Sequence, residues 1–304
     1  MGIVIVIAAI FLSVATPTPA PKPASGPEKP RVMATFFPLF DFTRRIGGDT
    51  IEVDMLFSQT PEVTSFSPSD IRRINEADLI VKNGLGLEVA LDDLIAASDN
   101  RSVKVIDTSV GITALEPAKA IEREKEPDGE EHGHGPVDPH IWLDPHHAMI
   151  QAGHIRDGLK VLDPAHAREY EERTQNLLGE LNLLHEDIAS STAGFRTRDF
   201  VAFHSAFHYF AARYGLNQVA VIEPFPGKEP SPQYLAGVIR TIRDLGITAI
   251  FSEPQFSPKV VEVIAADLGI KVYELDPIET GDPDRDSYIL LMRKNLEVLE
   301  KALK

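Results

Sequence analysis

The sequence contains no cysteine. Disulfide bonds and thiolate metal sites are therefore excluded, and any metal site has to use histidine nitrogen and carboxylate oxygen. Positive charge is also scarce, because 30 Lys and Arg residues stand against 46 Asp and Glu residues, which gives a formal net charge of −16. Such a charge repels nucleic acid and attracts cations, so we expect no nucleic-acid partner.

The chain is long enough for more than one folding unit. Its 304 residues suggest two domains of about 100 to 150 residues each. Hydrophobic residues make up 43% of the chain and charged residues 25%, as in ordinary globular proteins, so a packed core is expected. Ten histidines supply the metal-binding nitrogen that cysteine does not.

Residues 1–30 are predicted to be a signal peptide followed by a proline-rich tether. Residues 2–15 form an apolar run that is shorter than the roughly 20 residues needed to cross a membrane, but that suits a signal-peptide core. Residues 16–30 are rich in proline and too poor in apolar residues to pack. We therefore expect export to the periplasm or the outer face of the membrane, with a membrane tether if the segment is not cleaved.

After residue 30, short apolar runs alternate with stretches of helical periodicity. The predicted strands are residues 31–36, 51–57, 78–81, 103–106, 199–203, 218–222, 249–252 and 271–275. Ser69 or Asp70 is expected to cap a helix that covers residues 71–76. The pattern predicts an α/β fold with two similar lobes, residues 31–163 and 194–304, each a mainly parallel sheet flanked by helices.

Residues 164–193 carry apolar side chains at helical intervals and are predicted to form one long helix between the lobes. Thirty helical residues would span about 45 Å, which is more than one small domain needs. Two shorter helices with a break between them are the alternative.

Ligand-type residues follow several of the predicted strands. His204, Glu253 and Asp276 come directly after strands of the second half, and His140 lies between two Asp-Pro pairs. Ligands of open α/β sheets bind beyond the carboxyl ends of the strands, so these side chains are candidates for one site. Imidazole and carboxylate together suit a divalent first-row metal ion, although a single histidine in such a position is more often a hydrogen-bonded core residue.

A series of short motifs resembles the metal-binding solute-binding proteins of ABC importers, which capture zinc or manganese outside the membrane. The resemblance implies two lobes joined by one long helix, Zn²⁺ or Mn²⁺ held between them as the transported ligand, and His140, His204 and Asp276 as metal ligands. The motifs are FPL at 37–39, PSD at 68–70, EADL at 76–79, NGLGLE at 83–88, DPHIWLDP at 138–145, HSAF at 204–207, EPS at 229–231, EPQF at 253–256 and LDP at 275–277.

The chain departs from this family at the first ligand, which is normally a histidine after the second strand. No histidine precedes Glu131. An alignment without a gap places Glu62 there, and a two-residue deletion before Pro68 places Thr64 there. We favour Glu62 because a carboxylate is a competent ligand, and two carboxylates would make a harder site that tolerates manganese. Thr64 would leave three protein ligands and a water.

Four further residues are accessory candidates. His208 lies four positions after His204 and would share its helical face, or it packs against neighbouring aromatic side chains. His132 and His134 lie in a charged segment that resembles a shortened His-rich loop, where they would collect metal or simply be solvated. Glu253 is the weakest of these four candidates for an accessory metal ligand.

The resulting hypothesis is extracytoplasmic capture of Zn²⁺ or Mn²⁺ by a monomer that is not an enzyme and that delivers the metal to the permease of an ABC importer. A zinc hydrolase is the alternative, since two histidines, a carboxylate and a water also make a catalytic zinc site, but no HExxH motif supplies a general base. A surface adhesin that scavenges metal would use the same residues.

Overall fold

The structure, a computed structural model, describes residues 29–61, 67–89, 91–116, 137–224 and 229–304. Nearly all of the predicted signal and tether segment lies outside these ranges. The same holds for four candidate ligands, Glu62, Thr64, His132 and His134.

Two parallel four-stranded sheets organise the described part of the chain. The first has the order β2-β1-β3-β4 and the second the order β6-β5-β7-β8, so both repeat one winding pattern. The predicted fold class is thus confirmed. The strands are β1 (Arg31–Ala34), β2 (Glu52–Met55), β3 (Leu79–Lys82), β4 (Lys104–Asp107), β5 (Asp199–Ala202), β6 (Asn217–Val221), β7 (Ala249–Ser252) and β8 (Lys271–Glu274).

Helices connect and flank these strands. They are α1 (Phe37–Gly47), α2 (Pro68–Glu76), α3 (Leu91–Ala97), α4 (Pro145–Leu162), α5 (Ala167–Ala193), α6 (His208–Tyr214), α7 (Pro232–Leu245), α8 (Lys259–Leu268) and α9 (Tyr288–Leu303). No helix within the described ranges is both long and apolar enough to cross a membrane.

Helix α2 begins earlier than the sequence suggested. Ser67 is its N-cap and forms a capping box with Asp70, so the prediction of Ser69 or Asp70 as the cap was wrong. The backbone N–H of Ser67 donates to the Asp70 carboxylate at 2.8 Å, and Pro68 takes the first helical position, where its missing N–H costs nothing.

Helix α5 is continuous over 27 residues and follows a short 3₁₀ turn, Pro164–His166. It packs on α1 and α4 from the first half and on α6 and α9 from the second. Its buried face consists of Tyr170, Thr174, Leu177, Leu181, Leu184, Ile188 and Thr192. All of them except the two threonines belong to an apolar cluster that includes residues of both sheets, so part of the core is shared by the two lobes.

The second half also reaches back onto the first. The Tyr288 backbone N–H donates to Asp41 Oδ2 at 3.1 Å, and the Tyr288 hydroxyl donates to the Trp142 carbonyl at 2.6 Å. Arg213 of α6 pairs with Asp144 at 2.7 Å. All three contacts join residues far apart in the chain and connect the second half to the first.

We predict that Leu181→Ala lowers the free energy of unfolding by about 2 to 5 kcal/mol, because it leaves a cavity in the core shared by the two lobes. Leu183 lies on the same helix with 58% of its surface exposed, so Leu183→Ala is the matched control and should change stability by less than about 0.5 kcal/mol. Urea unfolding followed by circular dichroism measures both. Equal effects would contradict the packing described for α5.

Candidate metal centre

Three ligand-type side chains from both halves of the chain meet in the interior. His204 follows β5, Glu279 lies in the loop after β8, and His140 precedes the 3₁₀ turn Ile141–Leu143. All three side chains are fully buried. Each comes from a different segment, and the position beyond the carboxyl ends of β5 and β8 is where ligands of parallel sheets bind.

The donor atoms of these side chains are close enough to share one cation. His140 Nε2 and His204 Nε2 are 3.2 Å apart, and Glu279 Oε1 lies 3.5 Å from His204 Nε2 and 3.9 Å from His140 Nε2. Tetrahedral zinc with bonds of about 2.0 to 2.1 Å separates its ligand atoms by about 3.3 Å. The three distances therefore approximate one face of a zinc tetrahedron.

A carboxylate lies behind each imidazole. Asp138 Oδ1 is 2.7 Å from His140 Nδ1, and the Glu253 oxygens are 2.8 and 2.7 Å from His204 Nδ1. The same carboxylates accept the backbone N–H of His140 at 2.9 Å and of His204 at 3.1 Å. A carboxylate at each Nδ1 orients the ring so that Nε2 faces the shared position, as in metal-binding histidines.

The two Nε2 atoms face each other at 3.2 Å in a fully buried site, where a proton or a metal ion between them stabilises the contact. Burial alone disfavours the imidazolium form of His204. The carboxylates of Glu253 and Glu279 outweigh burial, so the pKa of His204 is held well above its ordinary value. The site therefore attracts positive charge.

Glu253 and His208 do not lie together with the three candidate ligands His140, His204 and Glu279. Glu253 contacts Nδ1 of His204, so it orients the imidazole from the side opposite Nε2. His208 opens α6 with a third of its side chain exposed, and its Nδ1 lies 3.7 Å from Asp138 Oδ2. Among the described residues, His140, His204 and Glu279 form a group whose donor atoms all lie within 4.8 Å of one another. Neither Glu253 nor His208 belongs to this group.

Asp276, which the resemblance implied as a ligand, is not a member of that group either. Its Oδ1 accepts the backbone N–H of Ile278 at 2.7 Å and so closes the turn after β8. Burial, together with the neighbouring carboxylates Glu279, Glu253 and Glu274, raises the pKa of Asp276 to about 6. The turn carries Glu279 to the imidazoles instead.

Glu279 is the residue that the sequence reasoning missed. It stands three positions after Asp276 in the same strand-end loop, so a second carboxylate was available to the pattern. Which of the two carboxylates reaches the imidazoles depends on the backbone. Ile278 adopts a φ of 61°, a conformation that β-branched residues rarely take and that costs about 1 to 3 kcal/mol. This positive φ lies directly before Glu279.

Contacts with the first lobe hold this strained loop in place. Trp142 Nε1 donates to the Pro277 carbonyl at 2.7 Å, and Ile278 is fully buried. A Cβ on Gly281 would lie 2.6 Å from the Phe37 ring, so the backbone there rests directly on the first lobe. Trp142, the only tryptophan of the chain, also lies 5.1 Å from the ring of His140, and this supports its use as a fluorescence reporter.

Residues 32–302 match the family described as zinc-uptake complex component A, periplasmic. The chain belongs to this family. The predicted resemblance to metal-binding solute-binding proteins is therefore confirmed, and the family consists of uptake components rather than enzymes. Accordingly, nothing supports the hydrolase alternative.

Individual relatives agree with this assignment. The zinc-binding lipoprotein AdcA of Streptococcus pneumoniae is 30% identical over 287 residues, which are 92% of this chain and 57% of AdcA. The chain thus spans little more than half the length of that relative. The high-affinity zinc uptake system protein ZnuA of Bacillus subtilis is 29% identical over 308 residues, covering 98% of this chain and 96% of ZnuA.

One solved structure of similar architecture contains Mn²⁺. The solute-binding protein FpvC of Pseudomonas aeruginosa in complex with Mn²⁺ superimposes with a TM-score of 0.78 at 29% identity, covering 91% of this chain and 98% of FpvC. Members of this fold thus carry both metals that the sequence analysis named.

We predict that His204 of the metal-free protein titrates well above its ordinary pKa. Glu253→Gln should lower this pKa, because one of the carboxylates that stabilise the buried imidazolium is then lost. NMR titration of the imidazole C–H signals after chelator treatment measures the midpoint. Glu262→Gln, at an exposed position of α8 in the same lobe, is the control and should leave the midpoint unchanged. An unchanged midpoint in Glu253→Gln would refute the proposed pairing.

Proposed function

We propose that this protein captures Zn²⁺ outside the cytoplasm through His140, His204 and Glu279. The observation that carries the proposal is the pair of buried Nε2 atoms 3.2 Å apart, with a carboxylate at the Nδ1 of each ring. A divalent cation between them would form one coordinate bond with each Nε2, and the Glu279 carboxylate would supply a third. The zinc-binding relatives named above support the choice of metal.

The fourth coordination position belongs to the segment after β2, to a water, or to both. Glu62 remains our preferred ligand from that segment and Thr64 the alternative. Two imidazoles with two carboxylates would be a harder site, on which Mn²⁺ competes better with Zn²⁺. The Mn²⁺ complex of FpvC supports Mn²⁺ as the second candidate metal.

Delivery to the permease of an ABC importer completes the proposed function. It is supported by the family's description as an uptake component and by the uptake role in the name of ZnuA. The chain would act as a monomer on the outer side of the membrane. An adhesin that only scavenges metal would bind Zn²⁺ equally well, but it would not restore zinc-limited growth to cells that lack their own zinc-binding component.

We expect one Zn²⁺ per chain in a titration against a chromogenic chelator, and a severe loss of binding in His204→Ala and Glu279→Gln. The loss should exceed the roughly 10- to 100-fold that removal of an outer hydrogen-bond partner costs, because a direct ligand is removed. Asp276→Asn is the matched control, since Asn keeps the oxygen that accepts the Ile278 N–H. Full binding by Glu279→Gln together with loss of binding by Asp276→Asn would assign the ligand to Asp276.

Zinc affinity should fall as the pH falls, because the carboxylates that raise the pKa of His204 also favour a proton on the nitrogen that binds the metal. The proton and Zn²⁺ compete for Nε2, so below this raised pKa the dissociation constant should rise about tenfold per pH unit for each proton displaced. Competition titrations between about pH 8 and about pH 6 measure it. A constant affinity across that range would show that His204 binds no metal.

A further inference from the structure

A buried polar network lies at the carboxyl end of the first sheet, next to the segment that carries His140. Its members are almost completely inaccessible to solvent and come from four different segments: Thr35, Asn83, Glu88, Thr108 and Gln151. Buried polar groups are costly unless they are hydrogen-bonded, so a network of this size imposes a defined geometry on what it contacts.

The Glu88 carboxylate closes the loop after β3. It accepts hydrogen bonds from the Thr35 hydroxyl at 2.7 Å and from the backbone N–H groups of Asn83 at 2.7 Å and Gly84 at 3.1 Å. The loop it closes is strained, with φ of 87° at Gly84 and 55° at Leu85. The carboxylate therefore fixes the backbone from which the Asn83 side chain projects.

The Asn83 amide is held on both sides. Its Oδ1 accepts from Gln151 Nε2 at 3.1 Å, and Gln151 also donates to the Thr108 hydroxyl at 2.9 Å. Its Nδ2 donates to the Pro139 carbonyl at 2.8 Å. With its oxygen occupied by Gln151, the amide presents an N–H to Pro139 in one orientation.

The Pro139 carbonyl belongs to the peptide group that leads into His140. The N–H of that same peptide donates to Asp138 Oδ1 at 2.9 Å, so both polar atoms of the peptide are hydrogen-bonded. Its plane sets the direction of the His140 Cα–Cβ bond, and Asp138 then sets the rotation of the ring through Nδ1. The orientation of Nε2 thus depends on Asn83 as well as on Asp138.

We propose that Glu88 and Asn83 are positioning residues for metal binding, which hold the Pro139–His140 peptide so that His140 Nε2 faces His204 and Glu279. This inference rests on the proposed function. This proposal gives the NGLGLE motif at 83–88 a role. Its glycines permit the turn, and its Asn and Glu fix the imidazole of His140 relative to the first sheet.

Three variants test the inference with Zn²⁺ alone as the ligand. Asn83→Ala removes the donor to Pro139, Glu88→Gln keeps the shape but removes the charge, and Glu88→Asp keeps the charge but shortens the side chain. We expect each to raise the zinc dissociation constant about tenfold, the lower end of the effect of lost outer-shell partners. Normal affinity in Glu88→Asp with weak affinity in Glu88→Gln would show a long-range charge effect and overturn the inference.

Leu94→Ala is the control for general loosening of the lobe. Leu94 is buried in a separate apolar cluster between α3 and the first sheet, so this variant should lose stability while binding Zn²⁺ normally. Bound Co²⁺ adds a spectroscopic test, because displacement of one imidazole changes its visible absorption. The band should shift in Asn83→Ala and both Glu88 variants, and remain as in the wild type in Leu94→Ala.

The outcomes separate the two proposals. If Asn83→Ala and Glu88→Asp bind Zn²⁺ like the wild type while His204→Ala does not, the positioning role is wrong and the metal site stands. If Leu94→Ala weakens binding as much as they do, the effect is one of stability and the positioning role is again wrong. If His204→Ala binds Zn²⁺ like the wild type, the metal site itself is wrong.

Discussion

The constraint on which the rest of the structure depends is the close approach of two buried imidazole nitrogens. His140 and His204 come from different lobes, and each is held through Nδ1 by a buried carboxylate. Their Nε2 atoms are 3.2 Å apart, so they can share one proton, which the raised pKa of His204 favours, or bind one metal ion. The fold has to hold the two rings in this arrangement, and a positive charge between them stabilises it.

Rigidity between the lobes follows from this requirement. Lobes with fully independent cores could move apart and separate the two rings. Here α5 packs on helices of both halves, and one apolar cluster of the described residues includes side chains from both sheets. The loop of Glu279 is fastened to the first lobe by the Trp142 indole N–H. These contacts involve none of the proposed metal ligands, so the fold itself holds His140, His204 and Glu279 close together, which reduces the cost of ordering them on binding.

The sequence predicted the sheets well because each strand is a short apolar run followed by polar residues. The observed strands β7 and β8 begin at the predicted residues, Ala249 and Lys271. The sequence named both His140, between two Asp-Pro pairs, and His204, after a strand, and the structure places their Nε2 atoms 3.2 Å apart. The sequence could not show which of two nearby carboxylates lies beside the imidazoles. Asp276 and Glu279 share a loop, and the choice between them depends on the backbone turn at Ile278, which local sequence preferences disfavour.

The role of Glu253 could not be read from sequence for a related reason. A carboxylate after a strand fits a ligand and a hydrogen-bond acceptor equally well, and only the position of the His204 ring decides between them. Ser67 was missed as the cap of α2 because Pro68 and Ser69 make an equally plausible start on composition. In both cases the sequence defined the chemistry of the group, and tertiary contacts defined its direction.

Charge explains why such a site favours a divalent ion. With both imidazoles neutral, the carboxylates of Asp138, Glu253 and Glu279 leave the interior strongly negative, and this charge contributes to the raised pKa of nearby Asp276. One proton on His204 neutralises only part of it, whereas a divalent cation neutralises two charges and satisfies both lone pairs at once. A divalent cation and protons therefore compete for the same Nε2 atoms. Acidification, which adds protons to these atoms, shifts this competition against the metal.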